Sequence, residues 1–123
     1  MVIPKRAILD GLFAVLSLVV VILGWKYVWV TAIILVCLAA INILFIRTKS
    51  ERKIALSIFL IGLLWGPLSE MSAILAGAWD YSLVNIAGMV PAWLFPLWGS
   101  AGLFFYSLTV GFQNGQLKLS DKD

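Results

Sequence analysis

Four long apolar stretches follow one another along this chain, and they limit its fold more than any other feature. They cover residues 7–25, 27–46, 54–78 and 90–112. Each is close to the ~20 residues that an α-helix needs to cross a hydrocarbon layer of ~30 Å. Transmembrane strands are shorter and alternate apolar with polar residues, which these stretches do not. The stretches therefore predict four membrane-spanning helices.

The composition indicates an integral membrane protein. Hydrophobic residues make up 63% of the chain and charged residues 12%, whereas a soluble domain carries about 25% charged residues. A water-soluble fold of this composition would expose too much apolar surface. We therefore expect one transmembrane domain over residues 1–123, an all-α polytopic four-helix bundle in the cell membrane, in contact with membrane lipids.

Basic residues collect on one side of the membrane if the chain crosses it four times. The residues on that side are Lys5, Arg6, the segment RTKSERK (residues 47–53), Lys118 and Lys122. The other side carries Lys26 and Asp80. Cytoplasmic loops are enriched in Lys and Arg, so both termini are predicted to be cytoplasmic. This bias accounts for the net charge of +3, and no nucleic-acid partner is expected.

The residue types that are missing exclude several kinds of site. The chain has no histidine, which removes His-ligated haem, the usual zinc sites and the Ser-His-Asp triad. Its single cysteine, Cys37, cannot form an internal disulfide and lies within an apolar stretch. We therefore expect neither a metal nor a cofactor.

Glu70 is the most unusual residue, because it lies inside the third apolar stretch. A carboxylate within the membrane costs several kcal/mol unless it is paired or protonated. Small residues recur along one face of the same helix, at Gly62, Gly66, Ser69, Ala73 and Gly77. Such a face lets helices approach closely. Glu70 lies at the edge of this face, so we expect it to point into the bundle.

Glu70 is therefore the candidate catalytic residue of a site near the outer leaflet. The candidate binding residues are Lys26, Trp65, Tyr81, Asn85, Trp93, Trp98 and Ser100. Lys26 is the expected cationic partner, because its long side chain can extend inward from the outer turn. The tryptophans would line an apolar pocket and shield a cation through their ring faces.

Two further polar features have more than one interpretation. The segment GAWDYSLVNIAGM, residues 77–89, is either an interfacial loop anchored by its aromatic residues or a lid that brings Asp80 to the site as a second acid. Asp10 and Asn42 lie near the inner boundary, more than ~10 Å below Glu70 at ~1.5 Å per residue. We expect them to hold helices together by pairing with each other rather than to belong to the Glu70 site.

Residues 60–108 resemble a group of small uncharacterised bacterial inner-membrane proteins. These have a Glu within a helix, a G-x-W-x-Y loop and a last helix rich in Pro and Trp. The matching residues are Glu70, Gly77, Trp79, Tyr81, Pro91, Trp93, Pro96 and Trp98. The chain is more faintly similar to membrane enzymes of carotenoid and terpenoid cyclisation and hydration, which implies an acid that protonates an isoprenoid double bond. Small multidrug antiporters also have four spans and one essential Glu, but theirs lies in the first helix.

Three functions are compatible with these features, and they leave open whether the protein is an enzyme. The first is binding of a lipophilic or isoprenoid-like molecule around Glu70. The second is a structural or assembly subunit of a larger membrane complex, docked through the small-residue face. The third is proton-coupled transport of a small molecule by a homodimer, with Glu70 titrating between substrate and proton.

Overall fold

The computed structural model describes residues 5–122, with side chains for residues 5–113, and within them the chain is helical apart from its turns and one long loop. The helices are α1 (Lys5–Gly24), α2 (Val28–Ala40), α3 (Lys49–Leu75) and α4 (Leu94–Lys122), and a π-helical segment, Ile41–Ile46, extends α2. All four are long and apolar enough to cross a membrane when this segment is counted with α2. The predicted all-α bundle of four spans is thus confirmed.

The boundaries of the last two spans differ from the prediction. The third helix begins at Lys49, earlier than the apolar stretch, because the polar residues before Ile54 form its exposed first turns. The fourth begins at Leu94, because residues 86–90 form a tight turn and Pro91 follows it. Lys118 and Lys122, which contributed to the predicted topology, lie outside the described side chains.

Helix α4 is the centre of the bundle and packs against each of the other three helices, most extensively against α3 and then α1. One end of the bundle holds the start of α1, the α2–α3 turn and the C-terminal half of α4, and we call it the basic end. The opposite end holds the α1–α2 turn and the segment 76–93, and we call it the loop end. A buried apolar cluster lies toward each end, around Leu35 and Val90 at the loop end and around Phe59 and Leu103 at the basic end.

Glycines allow α3 and α4 to approach closely. A Cβ atom on Gly62 would lie 2.8 Å from the carbonyl oxygen of Trp98, and one on Gly66 would overlap the Trp98 ring. The predicted small-residue face therefore packs on protein at these two positions. It does not do so throughout, since Ser69 and Gly77 are exposed. The rest of the small-residue face has no helix to pack against, because α4 begins only at Leu94.

A buried polar cluster joins three elements at the basic end. Asp10 Oδ1 accepts a hydrogen bond from Asn42 Nδ2 at 2.9 Å, and Arg47 Nη2 lies 2.5 Å from Asp10 Oδ2. Arg47 Nη1 also donates to Asn42 Oδ1 at 3.0 Å, and the Ser107 hydroxyl donates to Asp10 Oδ2. The expected pairing of Asp10 with Asn42 is confirmed.

Arg47 and Ser107 belong to this cluster without any pattern in the sequence that predicts it. Arg47 was expected among the charges of an exposed cytoplasmic loop, yet its side chain is 4% exposed. It follows directly after the π-helical segment that contains Asn42. A π-helical turn holds more residues than an α-helical one and occurs often at functional sites. The π-helical segment thus ends at a position from which the Arg47 side chain can reach Asp10.

Replacing Asp10 by Asn should destabilise the protein by about 3 kcal/mol, because it leaves the buried Arg47 charge without its counterion. The matched control is Glu51→Gln, which removes the same charge from the more exposed Arg6–Glu51 pair and should cost less than about 1 kcal/mol. Unfolding in mixed detergent measures both. Equal losses for the two variants would contradict the assignment of Asp10 as the main ionic contact.

Replacing Gly66 by Ala should lower stability by about 1–3 kcal/mol, because the added methyl overlaps Trp98 and forces the helices apart. Gly102→Ala is the control, since a Cβ atom there meets its nearest neighbour at 3.6 Å, an ordinary contact. Thermal unfolding in detergent compares the two. A tolerated Gly66→Ala would show that α3 and α4 are not packed at this point.

Candidate functional site

Glu70 lies on α3 at the loop end, and its carboxylate is held by two neutral donors. The Tyr81 hydroxyl donates to Glu70 Oε1, and Trp98 Nε1 donates to Oε2 at 2.5 Å. Both oxygens thus accept a hydrogen bond. Neither donor carries a charge, so these contacts give Glu70 no counterion.

The end of α3 directs Tyr81 toward Glu70. The Ala78 N–H donates to the Ala73 carbonyl and the Gly77 N–H to the Ile74 carbonyl, both at 3.0 Å. This pair of bonds is the Schellman motif, which places the residue after the helix cap in the left-handed region. Gly77 occupies that position with φ of 85°. The turn reverses the chain so that Tyr81 contacts the helix it has just left.

Trp93 fixes the position of Tyr81 and ties the site to the α1–α2 turn. The two rings meet edge to face, with centroids 6.1 Å apart and an interplanar angle of 86°. Such a pair contributes about 0.5–1.5 kcal/mol beyond its buried area. Trp93 Nε1 also donates to the Trp25 carbonyl at 3.2 Å. Trp93 therefore contacts both Tyr81 in the loop and the α1–α2 turn.

A second tight turn brings the loop back to α4. The Met89 N–H donates to the Ile86 carbonyl at 3.0 Å, and the two residues between them, Ala87 and Gly88, have φ of 54° and 66°. Positive φ at both central positions is typical of the type I′ turn. Asn85 Oδ1 accepts a hydrogen bond from the Ala92 N–H at 2.8 Å, so this side chain shapes the loop.

An open apolar groove of about 880 Å³ runs between α1 and α4, with Glu70 and Tyr81 among its lining residues. Its α1 wall includes Ala7, Gly11, Ala14, Leu18 and Val21. Its α4 wall includes Leu94, Leu97, Trp98, Ala101, Phe104 and Leu108. From Ala7 to Val21 the groove extends over ~21 Å at ~1.5 Å per residue. Among the described residues that line it, Glu70 is the one charged side chain.

The Tyr81 hydroxyl stays protonated in this environment. Burial, the hydrogen bond to Glu70 and the negative charge of Glu70 all raise the pKa of Tyr81 well above its ordinary value. A neutral tyrosine can donate to a carboxylate, whereas a tyrosinate cannot. The Tyr81 hydroxyl therefore keeps its proton, and can donate it, throughout the physiological pH range.

Three of the predicted binding residues meet at Glu70. Tyr81, Trp93 and Trp98 all line the groove beside the carboxylate. Glu70 itself is half-buried and points toward α4 and the loop, as the prediction required.

Four other predicted binding residues lie away from the carboxylate. The expected pairing of Lys26 with Glu70 is wrong, because Lys26 is exposed and its Nζ lies 5.4 Å from the ring centroid of Trp25. Trp65 precedes Glu70 by five residues, so the two side chains lie on different faces of α3. Trp65 is 71% exposed. Ser100 is buried on a different face of α4 from Trp98. Asn85 caps the loop backbone instead.

The lid interpretation of the loop agrees with the position of Tyr81 but not with that of Asp80. Tyr81 folds back over Glu70, but Asp80 is exposed and makes no hydrogen bond to Glu70 in the described part of the chain. The two acids therefore do not form a pair. Within that part, no group of three metal-ligating side chains lies close together.

The α1 wall of the groove is the part of the site that sequence analysis missed. Ala7, Gly11 and Ala14 recur every three or four residues on one face of the first span. This spacing was a usable signal for a helix face that faces another element.

Comparison with protein-family models, with curated proteins and with solved structures finds no match for this chain.

Replacing Tyr81 by Phe should destabilise the protein by about 1–2 kcal/mol, because one oxygen of Glu70 loses its donor inside the bundle. Tyr106→Phe is the matched control, since Tyr106 is 39% exposed and makes no side-chain hydrogen bond among the described residues. Thermal unfolding of both variants in detergent provides the measurement. A Tyr81→Phe variant as stable as Tyr106→Phe would show that the contact with Glu70 is not formed.

Proposed function

We propose that the protein binds an elongated lipophilic molecule, of isoprenoid-like character, in the α1–α4 groove with one end of the molecule at Glu70. The volume of the groove falls in the range of ~300–1,000 Å³ that is usual for small-molecule sites. Its walls are apolar along their length, as a hydrocarbon chain requires.

The observation that carries this proposal is the position of a single carboxylate in an otherwise apolar groove. Glu70 is held by Tyr81 and Trp98, and these two side chains also line the groove. A carboxylate that served only to join helices would need no adjoining cavity. Ionisable residues within membranes usually have a functional role.

The chemistry around Glu70 favours a ligand with a positive or hydrogen-bond-donating end. A carboxylate with both oxygens accepting from neutral groups attracts such an end. The rings of Tyr81, Trp93 and Trp98 lie at the same place, and aromatic faces stabilise a cation by ~0.5–2 kcal/mol. Whether this stabilisation supports a reaction on the ligand stays a prediction, as do the transport and assembly hypotheses.

Glu70→Gln should weaken binding of retinol, an isoprenoid alcohol, by about tenfold, because the charged acceptor for its hydroxyl is lost. Energy transfer from tryptophan to retinol in detergent measures the affinity. Asp80→Asn is the matched control, since it removes a carboxylate from the same end without touching the groove. It should change the affinity by less than about twofold.

A third variant tests the contribution of the groove to binding independently of the Glu70 carboxylate. Ala14→Phe places a large ring on the α1 wall without changing charge, and it should abolish saturable retinol binding. Retinol binding that is the same in the wild type, Glu70→Gln and Ala14→Phe would reject the proposal.

A further inference from the structure

A second cavity, of about 310 Å³, lies at the basic end, where the start of α1, the α2–α3 turn and the C-terminal half of α4 meet. Its polar lining comprises Arg6, Arg47, Ser50, Glu51, Tyr106 and Ser107. It shares no lining residue with the groove at Glu70. The polar character of the two cavities also differs, because this one contains two arginines.

Arg47 supplies a fixed positive charge to this cavity. Its side chain is 4% exposed and is held by Asp10 and Asn42. Asp10 lies behind it and does not line the cavity. The two hydrogen bonds among the described residues use two of the five N–H groups of the guanidinium. The remaining donors of a rigidly held arginine are suited to an oxyanion.

Arg6 supplies the second guanidinium of the cavity. Its Nη2 lies 2.7 Å from Glu51 Oε2. Its Nη1 is buried and forms no hydrogen bond to any residue within the described part of the chain. A buried donor of this kind costs free energy unless a ligand or water satisfies it. The lining thus holds two guanidinium groups, Arg6 and Arg47, and one carboxylate, Glu51, while Asp10 pairs with Arg47 from behind the lining.

The first turn of α3 adds to this preference for anions. Ser50 lines the cavity from this turn, and Thr48 before it makes no side-chain cap to the helix. The free N–H groups of a helix start carry partial positive charge. Four further basic residues are neighbours of the lining residues in the sequence, and these are Lys5, Lys49, Arg52 and Lys53. Ile54 and Val110 add apolar surface to the lining.

We propose that this cavity binds a phosphate group, with Arg47 as the fixed cation and Arg6 Nη1 as the donor that closes on the ligand. The position at the end of the spans, beside apolar side chains, fits the phosphodiester of an anionic membrane lipid. Basic pockets between transmembrane helices bind such headgroups. Free phosphate has the same chemistry, and the experiment separates the two sources.

The purified, delipidated protein is titrated in neutral detergent with short-chain phosphatidylglycerol, with phosphatidylcholine of the same chain length and with inorganic phosphate. Thermal unfolding reports binding, since a ligand of the folded state raises the unfolding temperature in a saturable way. We expect saturable stabilisation by phosphatidylglycerol. Stabilisation by inorganic phosphate at similar concentration would assign the site to the free ion.

Four variants test the residues. Arg6→Gln should weaken phosphatidylglycerol binding at least fivefold, whereas Arg52→Gln, which removes an equal charge from outside the cavity, should change it less than twofold. Glu51→Gln should tighten binding, because it removes the carboxylate that competes for Arg6. Val110→Trp fills the cavity without altering charge and should abolish binding, so the proposal stays testable even if Arg6→Gln does not fold.

The results that would overturn the proposal are equally specific. Equal losses for Arg6→Gln and Arg52→Gln would indicate diffuse attraction to a basic surface. Retained binding in Val110→Trp would place the ligand elsewhere. If neither phosphatidylglycerol nor inorganic phosphate stabilised the wild type, or if phosphatidylcholine stabilised it equally well, there would be no phosphate site. None of these outcomes bears on retinol binding at Glu70, because the two cavities have no residue in common.

Discussion

Hydrocarbon gives apolar helices little reason to prefer one another over lipid, so polar contacts and close backbone packing determine how this bundle assembles. Both are concentrated on α4. At the loop end Trp98 donates to Glu70 of α3, and at the basic end Ser107 donates to Asp10 of α1. Between these contacts, Gly62 and Gly66 let α3 lie directly against α4. The rest of the apolar surface is free to face lipid.

The carboxylates of Asp10 and Glu70 differ in whether a cationic side chain compensates their charge. This difference distinguishes a structural carboxylate from a candidate functional one. Asp10 is fully buried and paired with a buried arginine, so its negative charge is compensated within the protein and the contact holds the helices together. Glu70 is only half-buried, has no cationic partner among the described residues and faces an apolar groove. Its charge is therefore still available to a ligand. This contrast is the physical basis for assigning binding to Glu70 and assembly to Asp10.

Features that depend on hydropathy and on depth along the spans could be predicted from the sequence. Features that depend on the direction of a side chain could not. The four spans follow from apolar length, and the meeting of Glu70 with Trp98 follows from the similar depth of the two residues along their spans. Lys26 was misassigned because depth alone does not show that the Trp25 ring lies nearer to it. The burial of Arg47 depends on a π-helical segment that has no recognisable sequence signal. The Tyr81 contact depends on the φ of 85° at Gly77, which the glycine permits but does not dictate.

The most direct test of the account is the indole N–H resonance of Trp98 in the protein reconstituted in lipid, assigned by its absence in Trp98→Phe. Because the indole donates to Glu70 Oε2 at 2.5 Å, Glu70→Gln should shift this resonance upfield as the charged acceptor is replaced by a neutral one. Asp80→Asn should leave it in place. A Trp98 resonance that does not move in Glu70→Gln would show that the carboxylate does not face α4, and the site described here would not exist.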